Sequence, residues 1–133
     1  MEYDVLRDAS QRIPESEWKW YGHVAHFICG ARCRFHLATE IGKYLVSTVG
    51  EMPPTRDAYS DTFEDIGLGR KYETMVFEVG GHCVEAECGQ CGLPHPDSYS
   101  ELDADGYNDA GAATRGHYAM CERAATGKVG RDE

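Results

Sequence analysis

Long apolar stretches are absent from this chain. No run of about eighteen apolar residues occurs, so the sequence offers no membrane-spanning helix. The opening residues, MEYDVLRDAS, lack a basic region followed by an apolar one, so they do not read as a secretory signal. Lysine and arginine vanish between Lys71 and Arg115, a span that carries Glu73, Glu78, Glu85, Glu87, Asp97, Glu101, Asp103, Asp105 and Asp109. A surface of that sign repels phosphate backbones, which argues against direct nucleic-acid binding through this half. Nucleotide-binding loops of the Walker type, G-x-S-x-G and H-E-x-x-H are all missing. There is no internal repeat and no low-complexity tract.

What the chain does hold is metal-ligand chemistry. Its 133 residues include six cysteines and six histidines. In a reducing cytosol, cysteines at short spacing beside histidines read as metal ligands before they read as disulfides. The tightest group is Cys83, Cys88, Cys91 and His95, within GHCVEAECGQCGLPH. Cys88 and Cys91 form a C-x2-C pair followed by glycine, as in a zinc knuckle, where backbone N–H groups turn toward the thiolates. Cys83 adds a third donor and His95 a fourth, giving the Cys3His set of structural zinc sites. Pro94 and Pro96 constrain His95, and His82 is its substitute. The segment has little apolar material to bury, so Zn2+ is the expected source of its order.

A second group is Cys29 and Cys33, at C-x3-C, with His117 and Cys121 one helical turn apart. Two cysteines near a hairpin and a His/Cys pair on a helix match the layout of a ββα finger. Small buried thiols are the competing reading of Cys29, Cys33 and Cys121. His36 is the reserve ligand. Asp103-Ala-Asp105-Gly106 begins like a calcium loop, but the later acidic ligands are missing.

Length fits one domain. The reading is a leading segment 1–20, an α+β domain over 21–126 and a tail 127–133. Alternating residues place strands over 22–29, 33–39, 44–49 and 70–79, with a hairpin turn at 40–43. Ala110, Ala113, His117, Met120, Cys121 and Ala124 form one stripe of a helix over 109–125, capped by Asn108 and stopped by Gly127. The expected fold is a small antiparallel sheet of about four strands, one C-terminal helix and a zinc-stabilised cysteine-rich loop between them.

Several blocks, in order, carry a resemblance: Cys33-Arg34-Phe35-His36-Leu37, Gly42 to Gly50, Arg70 to Phe77, Gly106-Tyr107-Asn108 and Gly116 to Cys121. Across about residues 22–123 the chain resembles short uncharacterised proteins of bacteriophages and integrated mobile elements. That resemblance implies expression in a bacterial cytoplasm and transfers no functional residue.

Net charge of -10 first means solubility, and then attraction to a basic partner. The expected function is a non-enzymatic protein that binds a basic surface of a host protein, in the manner of inhibitors of host defence such as anti-CRISPR proteins. The alternative is a small metal-dependent hydrolase acting on a nucleotide or nucleic acid. It needs a zinc with an open position and a titratable neighbour such as His36 or Glu73.

Overall fold

The computed structural model describes residues 12–21, 32–54, 62–67, 69–82, 93–97 and 101–130. The expected strand over 22–29 therefore lies outside the described residues. So do Cys29, Cys83, Cys88 and Cys91, and the side chain of His95.

The architecture is α+β: an antiparallel sheet with a single C-terminal helix. Strands β1 (Lys19–Tyr21), β2 (Phe35–Ile41), β3 (Tyr44–Gly50) and β4 (Tyr72–His82) pair in chain order. Two short strands, β5 (Pro94–Pro96) and β6 (Asp103–Tyr107), then pair in turn with the later and earlier parts of β4. The count is six described strands where the sequence pattern suggested about four. The extra ones have a physical reason for being illegible. PHP and DADGY are rich in residues that strands disfavour, and only pairing with β4 makes them extended.

β2 and β3 form a tight hairpin at Gly42-Lys43, and Gly42 takes φ 58, which glycine adopts without strain. Register follows from that turn: Thr39 faces Val46, and Leu37 faces Thr48. Thr48 in turn faces Thr74, and Val46 faces Val76. Side chains alternate across a strand, so Thr39, Ile41, Val46, Thr48, Thr74 and Val76 share one face. His36, Ala38, Glu40, Leu45, Ser47, Val49, Glu73, Met75 and Phe77 share the other.

Helix α1 (Ala110–Ala125) covers the first face. Its cap is Asp109, one residue later than expected, with an extended backbone and a side chain that accepts from Ala112 N. It ends in a Schellman arrangement, with Gly127 N bonded to Ala124 O and Lys128 N to Arg123 O. Ala113, His117, Met120, Cys121, Ala124 and Ala125 are buried, close to the expected stripe. Met120, Cys121, Ala124 and Ala125 pack with Ile41, Val46, Val76 and Trp18.

Gly116 leaves room for the Tyr107 ring, which a Cβ there would strike. The packed unit also reaches further upstream than residue 21. Ile13 N bonds to Ala125 O, Trp18 is buried, and Arg12 forms a two-pronged bond to Glu122. At the other end, Val129 packs on the core and Gly130 N bonds to Asp103.

The second face is buried as well: Ala38, Leu45, Ser47, Val49, Glu73, Met75 and Phe77 have almost no exposure. A sheet covered on both sides needs no alternation between apolar and polar residues, and β3 is a near-continuous buried run. Glu78, expected to face water, does so.

Candidate functional site

The sheet divides the sequence-derived metal residues between its two sides. His117 and Cys121 lie on α1, one turn apart, against the first face. Cys33 is buried with Val49, Met52 and Ile66, and Val49 belongs to the second face. Cys33 and Cys121 belong to different buried clusters, so among the described residues Cys33, His117 and Cys121 do not gather, and Cys29, the fourth of that group, lies outside the described residues. No three described His, Cys, Asp or Glu side chains gather as a metal site, a statement that leaves aside the cysteines outside the described residues.

His117 is committed elsewhere. Its Nε2 lies 2.8 Å from Thr39 Oγ1 and its Nδ1 2.7 Å from Thr48 Oγ1. Thr48 also bonds to Thr74 at 2.6 Å, and Thr74 reaches the Tyr107 hydroxyl. Cys121 shares the Thr39 hydroxyl. Helix spacing puts His117 and Cys121 on one face, and the register of β2, β3 and β4 puts three threonines in a row beneath them. The result is a buried polar chain in which both imidazole nitrogens are used. Burial lowers the His117 pKa to about 4 and pushes the Cys121 thiol up to about 12, so both are neutral near pH 7. A thiol held protonated and an imidazole with no free lone pair make a structural network.

The other face carries a different set. Glu40 is buried, and its Oε1 receives Tyr21 OH at 3.2 Å and lies 2.9 Å from His82 Nε2. Glu73 is also buried, against Gly67, and burial raises its pKa to about 7, with Glu101 adding to the shift. His36 reaches back to Cys33, its Nε2 lying 2.6 Å from the Cys33 carbonyl oxygen.

For the cysteine-rich segment the structure describes the base. His82 pairs with Pro94 and Gly81 with His95, so β4 and β5 hold residues 82 and 94 side by side. Cys83, Cys88 and Cys91 fall within the span those pairs enclose.

Asp103 and Asp105 have unequal roles. Asp103 is 3% exposed, lies 3.0 Å from Arg123 Nη2, and accepts from Gly130 N and Ala104 N. Asp105 is exposed and accepts from Gly106 N. The stretch read as an incomplete calcium loop is strand β6, and its aspartates cap their neighbours' amides. Asp97, Glu101 and Asp105 project to solvent along the line of β5 and β6. Trp20 and Tyr118, 48% and 47% exposed, form an aromatic pair with ring centroids 5.4 Å apart. Sequence pattern missed this pair, because β1 is too short to show periodicity.

Comparison with protein families, curated proteins and solved structures finds no match to this chain.

Proposed function

We propose that this protein is a non-enzymatic binding module whose acidic sheet edge meets a basic surface on a partner protein. The observation that carries this reading is the exposed row Asp97, Glu101 and Asp105 beside Glu78, in a span 72–114 without a single lysine or arginine. Such a field speeds encounter with a cationic surface and sets register more than it adds affinity. A bacterial host protein is the proposed partner, and inhibition of a host defence system the proposed consequence, on the strength of size, charge and the phage-like resemblance.

Zinc serves structure in this proposal. The pairing of His82 with Pro94 brings together the ends of the span holding Cys83, Cys88 and Cys91, which reduces the entropy lost when they share one ion. His95, opposite Gly81, or His82 is the proposed fourth donor.

The test immobilises the full chain, exposes it to bacterial extract at low and at high salt, and repeats this with Glu101→Lys/Asp105→Lys. Asp103 is left unchanged because it is buried. A protein retained at low salt, and lost both at high salt and on the variant with its melting temperature intact, supports the proposal. Capture indifferent to salt and to charge reversal refutes it. Zinc is counted by elemental mass spectrometry on native protein and on Cys88→Ser/Cys91→Ser, and loss of about one ion per chain is expected.

One observation favours a second reading, the metal-dependent hydrolase. Glu73 is buried against Gly67, and that burial pushes its carboxyl pKa up to about 7, in the range where a general base is effective. Zinc-dependent hydrolysis of an activated phosphodiester, abolished in Glu73→Gln, would support it.

A further inference from the structure

The sheet has outer strands β1 on one side and β6 on the other, and their backbones end differently. The hairpin closes on the pair Ile41 and Tyr44, so Phe35, Leu37 and Thr39 turn their amides to β3, while Ala38 and Glu40 turn theirs to β1. Lys19 stands opposite Glu40 and Tyr21 opposite Ala38, and they take up those bonds. Trp20 stands between them opposite Thr39, and its own N–H and C=O point away from the sheet. No described residue bonds to either group. On β6 the same alternation turns the amides of Ala104 and Gly106 outward. Both are occupied: Asp103 Oδ1 accepts from Ala104 N at 2.9 Å, and Asp105 Oδ1 accepts from Gly106 N at 2.8 Å. A strand arriving at β6 finds no free amide on its outer side. Among the described residues, β1 is therefore the edge open to pairing.

Side chains and charge at this edge say what it takes. Trp20 shares the face of Thr39 and lies against Tyr118 of α1, and both rings are about half exposed. Helix α1 packs chiefly on β2, β3, β4 and β6, so β1 reaches past it and the two rings form the border. The charges here are balanced, because Arg12, Glu17, Lys19 and Glu40 line one cleft. The acidic row lies four strand spacings away, about 19 Å, beyond the screening length of about 8 Å in physiological salt. The net charge of -10 thus does not hold two β1 edges apart. A foreign strand would gain the same backbone bonds but would have to bring its own apolar groups. A second copy of this chain brings Trp20 and Tyr118 already in place.

We infer that β1 is a dimer interface, at which a second copy adds its own β1 antiparallel about a two-fold axis at Trp20. Each Trp20 N–H donates to the Trp20 carbonyl of the other copy, and the sheet continues across the axis. Directly opposed residues of an antiparallel pair share a face, so both tryptophans lie on the α1 side, each beside a Tyr118. The interface is self-complementary, as a closed two-fold contact must be. With three residues in β1, it is small, and the dimer forms at high concentration and is readily reversible. The acidic edges then lie at the two far ends of the joined sheet, about 40 Å apart, where each remains free to meet a basic partner.

The experiment uses the full chain in reductant, so that no disulfide joins copies. Sedimentation velocity from about 5 μM to about 1 mM covers the range in which so small an interface associates. Hydrogen exchange of the Trp20 amide is followed by NMR over the same range on protein of unchanged sequence, so that a variant's failure to fold cannot decide the question. The expected result is a mass that rises from one chain to two and stops there, with Trp20 amide exchange slowing in step. Tyr118→Lys, and Trp20→Pro, which removes the ring and the outward N–H but no bond to β2, should each weaken association about tenfold or more at an unchanged melting temperature. Glu101→Lys/Asp105→Lys should leave it unchanged, which separates this inference from the proposed partner binding. A chain that stays single at about 1 mM overturns the inference and leaves the edge to a strand of another protein. A dimer whose Trp20 amide exchanges as fast as in the single chain also overturns it, since the contact is then elsewhere. A Trp20 amide protected at every concentration overturns it by assigning the edge to the chain itself. Assembly that grows past two chains overturns the two-fold arrangement.

Discussion

Thr48 stands between His117 and Thr74, its hydroxyl 2.7 Å from one and 2.6 Å from the other, and so joins helix α1 to the middle of the sheet. A buried network is stabilising only when every member is satisfied. Thr48→Val keeps the shape and removes the hydroxyl. It leaves His117 Nδ1 without a partner and should cost about 1–3 kcal/mol, measured as a lowered urea midpoint with an unchanged slope.

His117 also makes acid stability predictable. Its pKa is about 4 in the fold and lies near the ordinary 6.5 when unfolded. The unfolded chain therefore binds the proton more readily. The contribution of neutral His117 is fully present above pH 6.5 and is lost as pH falls toward 4, at up to about 1.4 kcal/mol per pH unit. Urea titrations between pH 7 and pH 4 check this. The advantage of native protein over His117→Gln should shrink as pH falls through that window, and an advantage that stays constant from pH 7 to pH 4 would contradict it.

Glu73 acts in the opposite direction. Its folded pKa of about 7 exceeds the ordinary 4.5, so the fold prefers the protonated carboxyl. Stability is highest below pH 4.5 with respect to this group and declines as pH rises through 7. Glu73→Gln should match the native protein near pH 4.5 and exceed it at pH 8. Chemical denaturation at the two pH values gives the comparison.

Gly116 sits mid-helix, where alanine would ordinarily stabilise by about 1 kcal/mol. The Tyr107 ring occupies the space a Cβ would take, and its hydroxyl is tied to Thr74. Gly116→Ala should therefore destabilise, by about 1–3 kcal/mol as overpacking does. A raised melting temperature would show that Tyr107 yields easily.

Asp103 and Asp105 should separate under charge reversal. Asp105→Lys alters an exposed residue and should change stability by no more than about 0.5 kcal/mol. Asp103→Lys strands Arg123 and the Gly130 amide beside a buried cation and should lower the melting temperature by several degrees. Thermal melts of the two variants, side by side, make the measurement.

The legible parts of this fold are those where a local pattern and the final environment agree. The hairpin at Gly42, the core of β4 and the α1 stripe all carried their signal in spacing alone. β6 did not, because Asp103-Ala-Asp105-Gly-Tyr107 has no strand preference of its own and is extended only by pairing with β4. The metal groups were legible as residue types but not as partnerships. His117 and Cys121 had ligand spacing, yet the nitrogens of His117 went to threonines contributed by two other strands.

The sequence by itself determined an acidic chain with an α+β pattern, a cysteine-rich span and a helix whose buried stripe includes a histidine. Those are consequences of composition and of short-range periodicity, which any segment carries within itself. Only the tertiary structure decided which side of the sheet each ligand-type residue occupies, and which edge amide is left open. Strand register sets both, because a one-residue slip would move every side chain of a strand to the opposite face. That register places threonines against His117 and turns the Trp20 amide outward.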